Sequence, residues 1–248
     1  NLDKPLVVQV GIYIKELFKG DFGVSLKNGR EISSIISESF PISCKVGLRA
    51  ISIALICGTV FGSIAALMRN KWPDRVIVFL STLFTAVPSF VLATLLLLVF
   101  CIKLGWVPVW SPNNPSYVLP VIALSAYPMA YITRLSKTSM LDALSQDYIR
   151  TAKAKGVHKW TVIFKHALRN SLIPVITYAG PQIAYIITGS MIVETIFTIG
   201  GSKFVSAITN RDYTMIMATT IFLATLMVAA TLICDLLYKL VDPRINYD

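Results

Sequence analysis

Residues 51–68 read ISIALICGTVFGSIAALM. No charged residue interrupts them, and Arg69, Lys71 and Arg75 follow at once, with Asp74 between. A helix needs about 20 predominantly apolar residues to cross a bilayer, and a more polar start near residue 43 extends this run to a span over about 43–68. The run shows no two-residue alternation. In lipid, only helices and closed barrels satisfy their backbone polar groups, so the pattern predicts a transmembrane helix.

The rest of the chain repeats that theme. Of its 248 residues, 55% are hydrophobic and 15% charged, against about 25% charged in an ordinary soluble domain. Mean hydropathy is +0.67. Four more apolar runs predict spans near 76–102, 117–136, 171–193 and 214–238. Pro88 is expected to kink or split the second. Pro120 and Pro128 fall in the third, and Pro174 and Gly180-Pro181 in the fourth. The expected fold is all-α, a polytopic transmembrane helical bundle. Residues 1–42, with KGDFGVSLKNGREI at their centre, are predicted to form an extracytoplasmic segment of short helices and turns, and residues 43–248 the transmembrane domain. The linker GWVPVWSPNNPS (105–116) carries no Lys or Arg and suits a loop at the interface.

Charge orients the chain. The loop after the third span carries Lys137, Arg150, Lys153, Lys155, Lys159, Lys165 and Arg169, and the tail carries Lys239 and Arg244. The opposite side has Lys103, Lys203 and Arg211. The positive-inside rule therefore places the loop 137–170 and the C-terminus in the cytoplasm, and it accounts for the net charge of +10 without a nucleic-acid partner. Lys45 and Arg49 break the pattern, because they open the first span on the outer side. A five-span chain with an outer start and no initial Met is expected to lack one upstream span. The four cysteines are far apart with no metal-binding spacing, so they read as small buried residues. His158 and His166 read as interfacial, and no metal site is expected.

The basic segment DYIRTAKAKGVHKWTVIFKHALRN (147–170) reads as two helices. Ser145 is a candidate N-cap, Asp147 suits the first turn and Lys153 and Lys155 the last, and Gly156 is a terminator. On the first helix Tyr148, Ile149, Ala152 and Gly156 share one face, with Arg150 and Lys153 elsewhere. That small-residue face invites the close approach of a cytosolic partner; a solvated loop touching only lipid headgroups is the alternative. The second helix, His158 to Asn170, carries an apolar stripe of Trp160, Ile163, Phe164, Ala167 and Leu168, as an amphipathic surface helix would.

This segment resembles the EAA loop of ABC-importer permeases, whose pattern is Glu-Ala-Ala, three residues, then Gly. Ala152 and Gly156 match, and Arg150 and Thr151 replace the first two letters. QDYIRTAKAKG (146–156) and HALRNSLIPVIT (166–177) are similar to the peptide/nickel branch, as are GDFGVS (20–25), VPSF (87–90), RLSKTSML (134–141), VETIF (193–197), NRDY (210–213) and CDLLYKLVDPRI (234–245). TIGGSKF (198–204) departs from a more usual Pro-Gly-Leu-Gly run. The resemblance covers essentially the whole chain. It implies a type I ABC importer permease fold lacking the family's first span, in the first of two permease subunits of an oligopeptide or dipeptide importer. It further implies a homologous second permease, two cytosolic ATP-binding cassette subunits that hold ATP and Mg, an extracytoplasmic substrate-binding protein, a peptide substrate, and the bacterial cytoplasmic membrane. Docking on the ATPase is expected from Asp147, Tyr148, Ile149, Ala152 and Gly156, with Arg150, Lys153 and Lys155 at the rim. No cofactor is expected on this chain.

Polar groups inside spans mark candidates for the path. Tyr178, Gln182, Tyr185 and Gly189 fall on one face of the fourth span, and Tyr127 and Tyr131 share a face of the third. They line a pore or serve helix–helix packing. Glu194, at the outer end of the fourth span, brackets an outer gate or sits in headgroup water. The chain has no phosphate loop of the form GxxxxGK[ST], and no paired nucleophile and base, so it is not expected to be an enzyme. A secondary transporter would need acids within its spans, and essentially none are there. A nickel or nickel-chelate cargo on the same architecture remains the alternative to peptide.

Overall fold

The computed structural model describes residues 5–189, 191–200 and 204–241, without the side chains of 184, 187–189, 234, 235 and 237–241. Several expectations therefore fall outside the described residues: the tail with Arg244, the side chain of Lys239, the loop residue Lys203, and the surroundings of Gly189, Cys234 and Asp235.

Eleven helices follow one another among the described residues. A peripheral helix α1 (Leu6–Leu17) buries none of its side chains. It leads into a tight turn region, residues 18–31, in which Gly20, Gly23 and Gly29 adopt positive φ and Ser25 N–H donates to the Arg30 carbonyl at 3.0 Å. The long helix α2 (Ile32–Leu67) follows.

The start of α2 corrects the boundary expected at residue 43. ISSIISES reads as polar, yet Ile32, Ile35 and Ile36 lie at helical spacing and are buried against Ala207, Met215 and Ala218. Ser39 satisfies its hydroxyl within the helix, donating to the Ile35 carbonyl at 2.7 Å. Pro41 lies inside the helix, where its missing N–H removes one backbone bond.

α2 packs most extensively on α5 (Val118–Ser145). The cause is a signal unread in the sequence, GTVFG at 58–62. A Cβ on Gly58 would lie 2.8 Å from Ile132 Cγ2 and 2.9 Å from the Met129 carbonyl oxygen, and one on Gly62 would collide with the Thr133 carbonyl oxygen. Two small residues four apart let helix backbones touch in this way, as membrane helices commonly do.

Between these two helices lie α3 (Trp72–Ala86) and α4 (Ser89–Leu96), the latter continued by π-helical turns over Leu97–Lys103. Pro88 splits the predicted second span outright, and the two pieces meet at 100°. The proline ring excludes the helical region for the residue before it, and Val87 is extended (φ −89°, ψ 120°). By length and composition α2, α5 and α11 (Tyr213–Val241) can each cross a membrane, and the bent pair is a fourth candidate. α8 (Arg169–Gly189) packs on α2, α5 and α11 and completes the bundle.

Two clusters of buried side chains mark the ends. Ala66, Met140, Ala143 and Val162 gather where α2 and α5 finish. At the other end Val46, Ala50, Leu119, Val193 and Phe197 form the second cluster, joined by α9 (Met191–Ile196). α10 (Phe204–Thr209) and the turn residues 22–31 cap this end. α11 touches α2 through Phe40–Phe222, with ring centroids 5.1 Å apart. Most of its other large apolar side chains, among them Met217, Met227, Val228 and Leu232, are exposed.

Candidate coupling surface and translocation cavity

The helix predicted from the basic segment is present as α6 (Asp147–Ala154). Its start differs by one residue from expectation. Gln146 is the extended residue before the helix, with no side-chain capping bond. Ser145 instead belongs to α5 and turns its hydroxyl back to the Asp142 carbonyl at 2.8 Å. The end agrees with expectation. Gly156 is left-handed (φ +74°), Val157 N–H donates to the Ala152 carbonyl at 3.1 Å, and Gly156 N–H donates to Lys153 at 3.0 Å. This pair of bonds is the Schellman closure that glycine favours.

The expected docking face is where the structure makes its main correction. Ile149 is 0% exposed and Ala152 8%; both pack on Ala66, Met140, Ala143, Val162, Ile163 and Ala167. The quiet side of α6 is therefore taken by the chain itself and holds α6 against α2, α5 and the following turns. Asp147, Arg150, Lys153, Lys155 and Gly156 remain exposed, and Tyr148 is 39% exposed. Asp147 and Arg150 approach at 3.4 Å with side chains 93% and 77% exposed, a geometry that contributes little stability in water.

The next helix begins as α7 (Lys159–Thr161), passes through π-helical turns over Val162–Leu168, and runs without a break into α8. The expected stripe divides accordingly. Ile163 and Ala167 point into the core, whereas Trp160 and Phe164 are 57% and 59% exposed and stack on each other at 5.8 Å. One residue more per turn rotates side chains off a 3.6-residue stripe.

Asp74, on the first turn of α3, and Lys137 of α5 form an ion pair, with side chains 7% and 22% exposed. Asp74 also accepts the Asn70 N–H at 2.9 Å. The α2–α3 turn is thereby tied to the helix that leads into α6. Neither residue was singled out for chemistry in the sequence, because they lie 63 positions apart.

The candidates for the path divide into two groups. Tyr127, Gln182 and Tyr185 line one cavity of about 430 Å³ at the Pro88 break, together with Thr85, Ser89, Phe90, Leu124, Pro128 and Ile186. Among the described residues, no charged side chain lines it. Tyr131 and Tyr178 are not among its lining residues; their rings stack at 4.2 Å and 21°. The Tyr178 hydroxyl is buried and meets no partner among the described residues. Gly189 closes α8, and its surroundings lie outside the described residues.

Glu194 is not in headgroup water. It is 1% exposed, and its Oε2 accepts the Ser43 hydroxyl at 2.9 Å, joining α9 to α2. The reason is that α9 packs against α4, α5 and α10.

At this same end two sequence landmarks meet. Asp212, from NRDY, accepts the hydroxyl of Ser25, from GDFGVS. It also accepts the Leu26 N–H at 3.3 Å and the Met215 N–H at 3.2 Å. Burial pushes the Asp212 carboxyl up, but these hydrogen bonds outweigh it and hold the group below the usual carboxylate range. Among the described residues, no cluster of His, Cys, Asp and Glu could hold a metal ion.

Comparison with known proteins agrees with this architecture. The family described as binding-protein-dependent transport system inner membrane component matches residues 58–247. The dipeptide transport system permease protein DppB of Bacillus subtilis is 45% identical over 250 residues, covering 99% of this chain and 81% of that protein. The oligopeptide transport system permease protein OppB of Haemophilus influenzae is 41% identical, covering 100% and 83%. Among solved structures, the MetNI methionine ABC transporter in inward-facing conformations superposes with a TM-score of 0.70 at 13% identity, over 84% of this chain and 96% of that one. An amino acid ABC transporter solved with histidines gives 0.63 at 16%, over 86% and 95%. The two structures establish the fold. The chain belongs to the family of binding-protein-dependent transport system inner membrane components, so it is a membrane-embedded transport subunit and not an enzyme.

Proposed function

We propose that this chain forms half of the translocation pore of an ATP-driven importer of dipeptides or oligopeptides. The observation that carries the reading is the 45% identity to a dipeptide permease across 99% of the chain. A homologous second permease completes the pore. Two cytosolic ATP-binding cassette subunits, with ATP and Mg, move it, and an extracytoplasmic binding protein delivers the peptide. The membrane is the bacterial cytoplasmic membrane, with α6 and the C-terminus on the cytoplasmic side, in keeping with the cations on α6.

The geometry supports a division of labour along α6. Ile149 and Ala152 anchor the helix to the permease. Asp147, Tyr148, Arg150, Lys153 and Lys155 are left to meet the ATPase, and Gly156 lets the chain turn away. A helix fixed on its apolar side can pass a push on its exposed side to α2 and α5. The uncharged cavity at the Pro88 break, with two tyrosines and one amide, suits contact with peptide backbone, whose groups recur in every sequence. Glu194, buried and bonded to Ser43, is the candidate element of an outer gate.

The experiment is reconstitution of the co-purified complex in liposomes, with uptake of a labelled dipeptide, a labelled oligopeptide and nickel measured in parallel. ATP-dependent uptake of either peptide is the expected result. Uptake by the isolated chain alone, or of nickel only, overturns the reading. Arg150→Glu should weaken retention of the ATPases about tenfold, within the range measured for charged contacts, without moving the chain's thermal transition. Unchanged retention for that variant and for Tyr148→Ala rejects α6 as the docking helix.

A further inference from the structure

Lys45 and Arg49 open the first span on the outer side, where the positive-inside rule disfavours cations flanking a span. They stand one turn apart on α2 and both are exposed. From Arg49 to Ala66, which packs beneath α6, the helix advances roughly 25 Å. A hydrocarbon core is about 30 Å thick, so Arg49 lies at the membrane face opposite α6.

The surroundings of Arg49 are specific. Its guanidinium carbon stands 5.4 Å from the centre of the Tyr117 ring. Below it opens a groove of about 910 Å³ between α2, the start of α5 and the loop before it. Leu48, Ile53, Val118 and Ile122 line the groove and are 49%, 39%, 57% and 43% exposed. Asn114 and Ser116 supply polar groups in the same wall, and no carboxylate is among the lining residues. Among the described residues Arg49 forms no ion pair. Trp106, in the same loop, is 71% exposed, as an aromatic residue at the headgroup level commonly is.

A cation held over an aromatic ring, a second cation one turn outward, and an open aliphatic trough below them fit an amphiphile with an anionic head. We propose that this groove binds an anionic phospholipid, with its phosphate on Arg49 and Lys45 and one acyl chain along Leu48, Ile53, Val118 and Ile122. The charge complementarity favours lipid over a neighbouring transmembrane subunit, which would have to bring its own carboxylate to the edge of the hydrocarbon layer, where charges are costly. The proposal gives these two outer-side cations a role other than topology.

The test is native mass spectrometry of the purified transporter complex, released from detergent containing equal amounts of phosphatidylglycerol and phosphatidylcholine. The intact complex should retain phosphatidylglycerol in preference to phosphatidylcholine. Arg49→Gln should lower the retained phosphatidylglycerol about fivefold, the scale of one basic side chain at an anionic headgroup, and Arg49→Lys should keep most of it. Equal retention of the two lipids by the wild-type complex overturns the proposal without recourse to any variant. So does unchanged retention in the Lys45→Gln/Arg49→Gln double variant. Efficient cross-linking of a Val118→Cys variant to a neighbouring transmembrane subunit would make the groove a subunit seam and equally reject the lipid.

Discussion

Replacing Gly62 by alanine adds one methyl group at the tightest point of the α2–α5 interface. The new Cβ would collide with the Thr133 carbonyl oxygen, lie 2.5 Å from Ser136 Cβ and 3.0 Å from Lys137 N. Two of these atoms are backbone and the third is a Cβ, so no rotamer change relieves the contact. Carbon atoms rest at about 3.5–4.0 Å, and the helices must part by roughly 1 Å. A gap of that size forfeits about a quarter to a half of the attraction of every neighbouring pair. Overpacking of this kind costs about 1–3 kcal/mol, while alanine in a helix regains about 0.5–1 kcal/mol over glycine. The expected balance is a loss of about 1–2 kcal/mol. At about 2–4 °C per kcal/mol for a chain of this size, the apparent Tm should fall by roughly 2–8 °C. Gly11 in α1 is the control, since a Cβ there meets nothing within 4 Å. Gly11→Ala should keep the helical gain alone and raise or preserve the Tm. Thermal unfolding of both variants, followed by intrinsic fluorescence in one detergent, reads the two signs. If Gly62→Ala matches Gly11→Ala in sign, the close approach of α2 and α5 is not what holds the bundle.

Two further outcomes follow from the buried charges. Lys137→Met strands Asp74, whose side chain is 7% exposed, and should destabilise by about 3–5 kcal/mol; Asp74→Asn/Lys137→Met should recover most of it. A double-mutant cycle of apparent stability checks this, and a double variant no better than Lys137→Met refutes the pairing. Asp212 has a folded-state pKa below its ordinary value, so its stabilisation is complete above the ordinary carboxylate pKa of about 3.9 and is lost only as pH falls through the lower folded value. Hydrogen exchange of residues 22–31, corrected for intrinsic rates, should therefore be flat from about pH 8 to about pH 5, and Asp212→Asn should speed it throughout. A decline in protection within that window, or an Asp212→Asn variant with wild-type exchange, contradicts the tie between Ser25 and Asp212.

Much of this protein was legible in the chain itself. The uncharged run 51–68, the prolines and the asymmetry of Lys and Arg are local or additive properties. They predict helices and their approximate number, because lipid imposes the same demand on every segment. α6 and its closure at Gly156 were equally legible, since capping acts within a few residues. What the sequence could not decide was which side of a helix is already occupied. Tyr148, Ile149, Ala152 and Gly156 share one spacing, but Ile149 and Ala152 are covered by Ala66, Met140 and Val162, which arrive from other helices, and Tyr148 is not. The start of α2 was hidden for a related reason: its serines make the stretch look polar in composition, yet Ile32, Ile35 and Ile36 between them are buried against Met215 and Ala218. Glu194 looked like an acid at the end of a span and Asp74 and Asp212 carried no separate reading; each became a bond between distant parts of the chain only when a donor far along the sequence was brought within 3 Å or so. Periodicity assigns a residue to a face. Only the packing of the whole bundle determines whether that face meets a neighbouring helix, a cavity or the surroundings, because that choice depends on backbones touching at Gly58 and Gly62 and on a chain broken at Pro88.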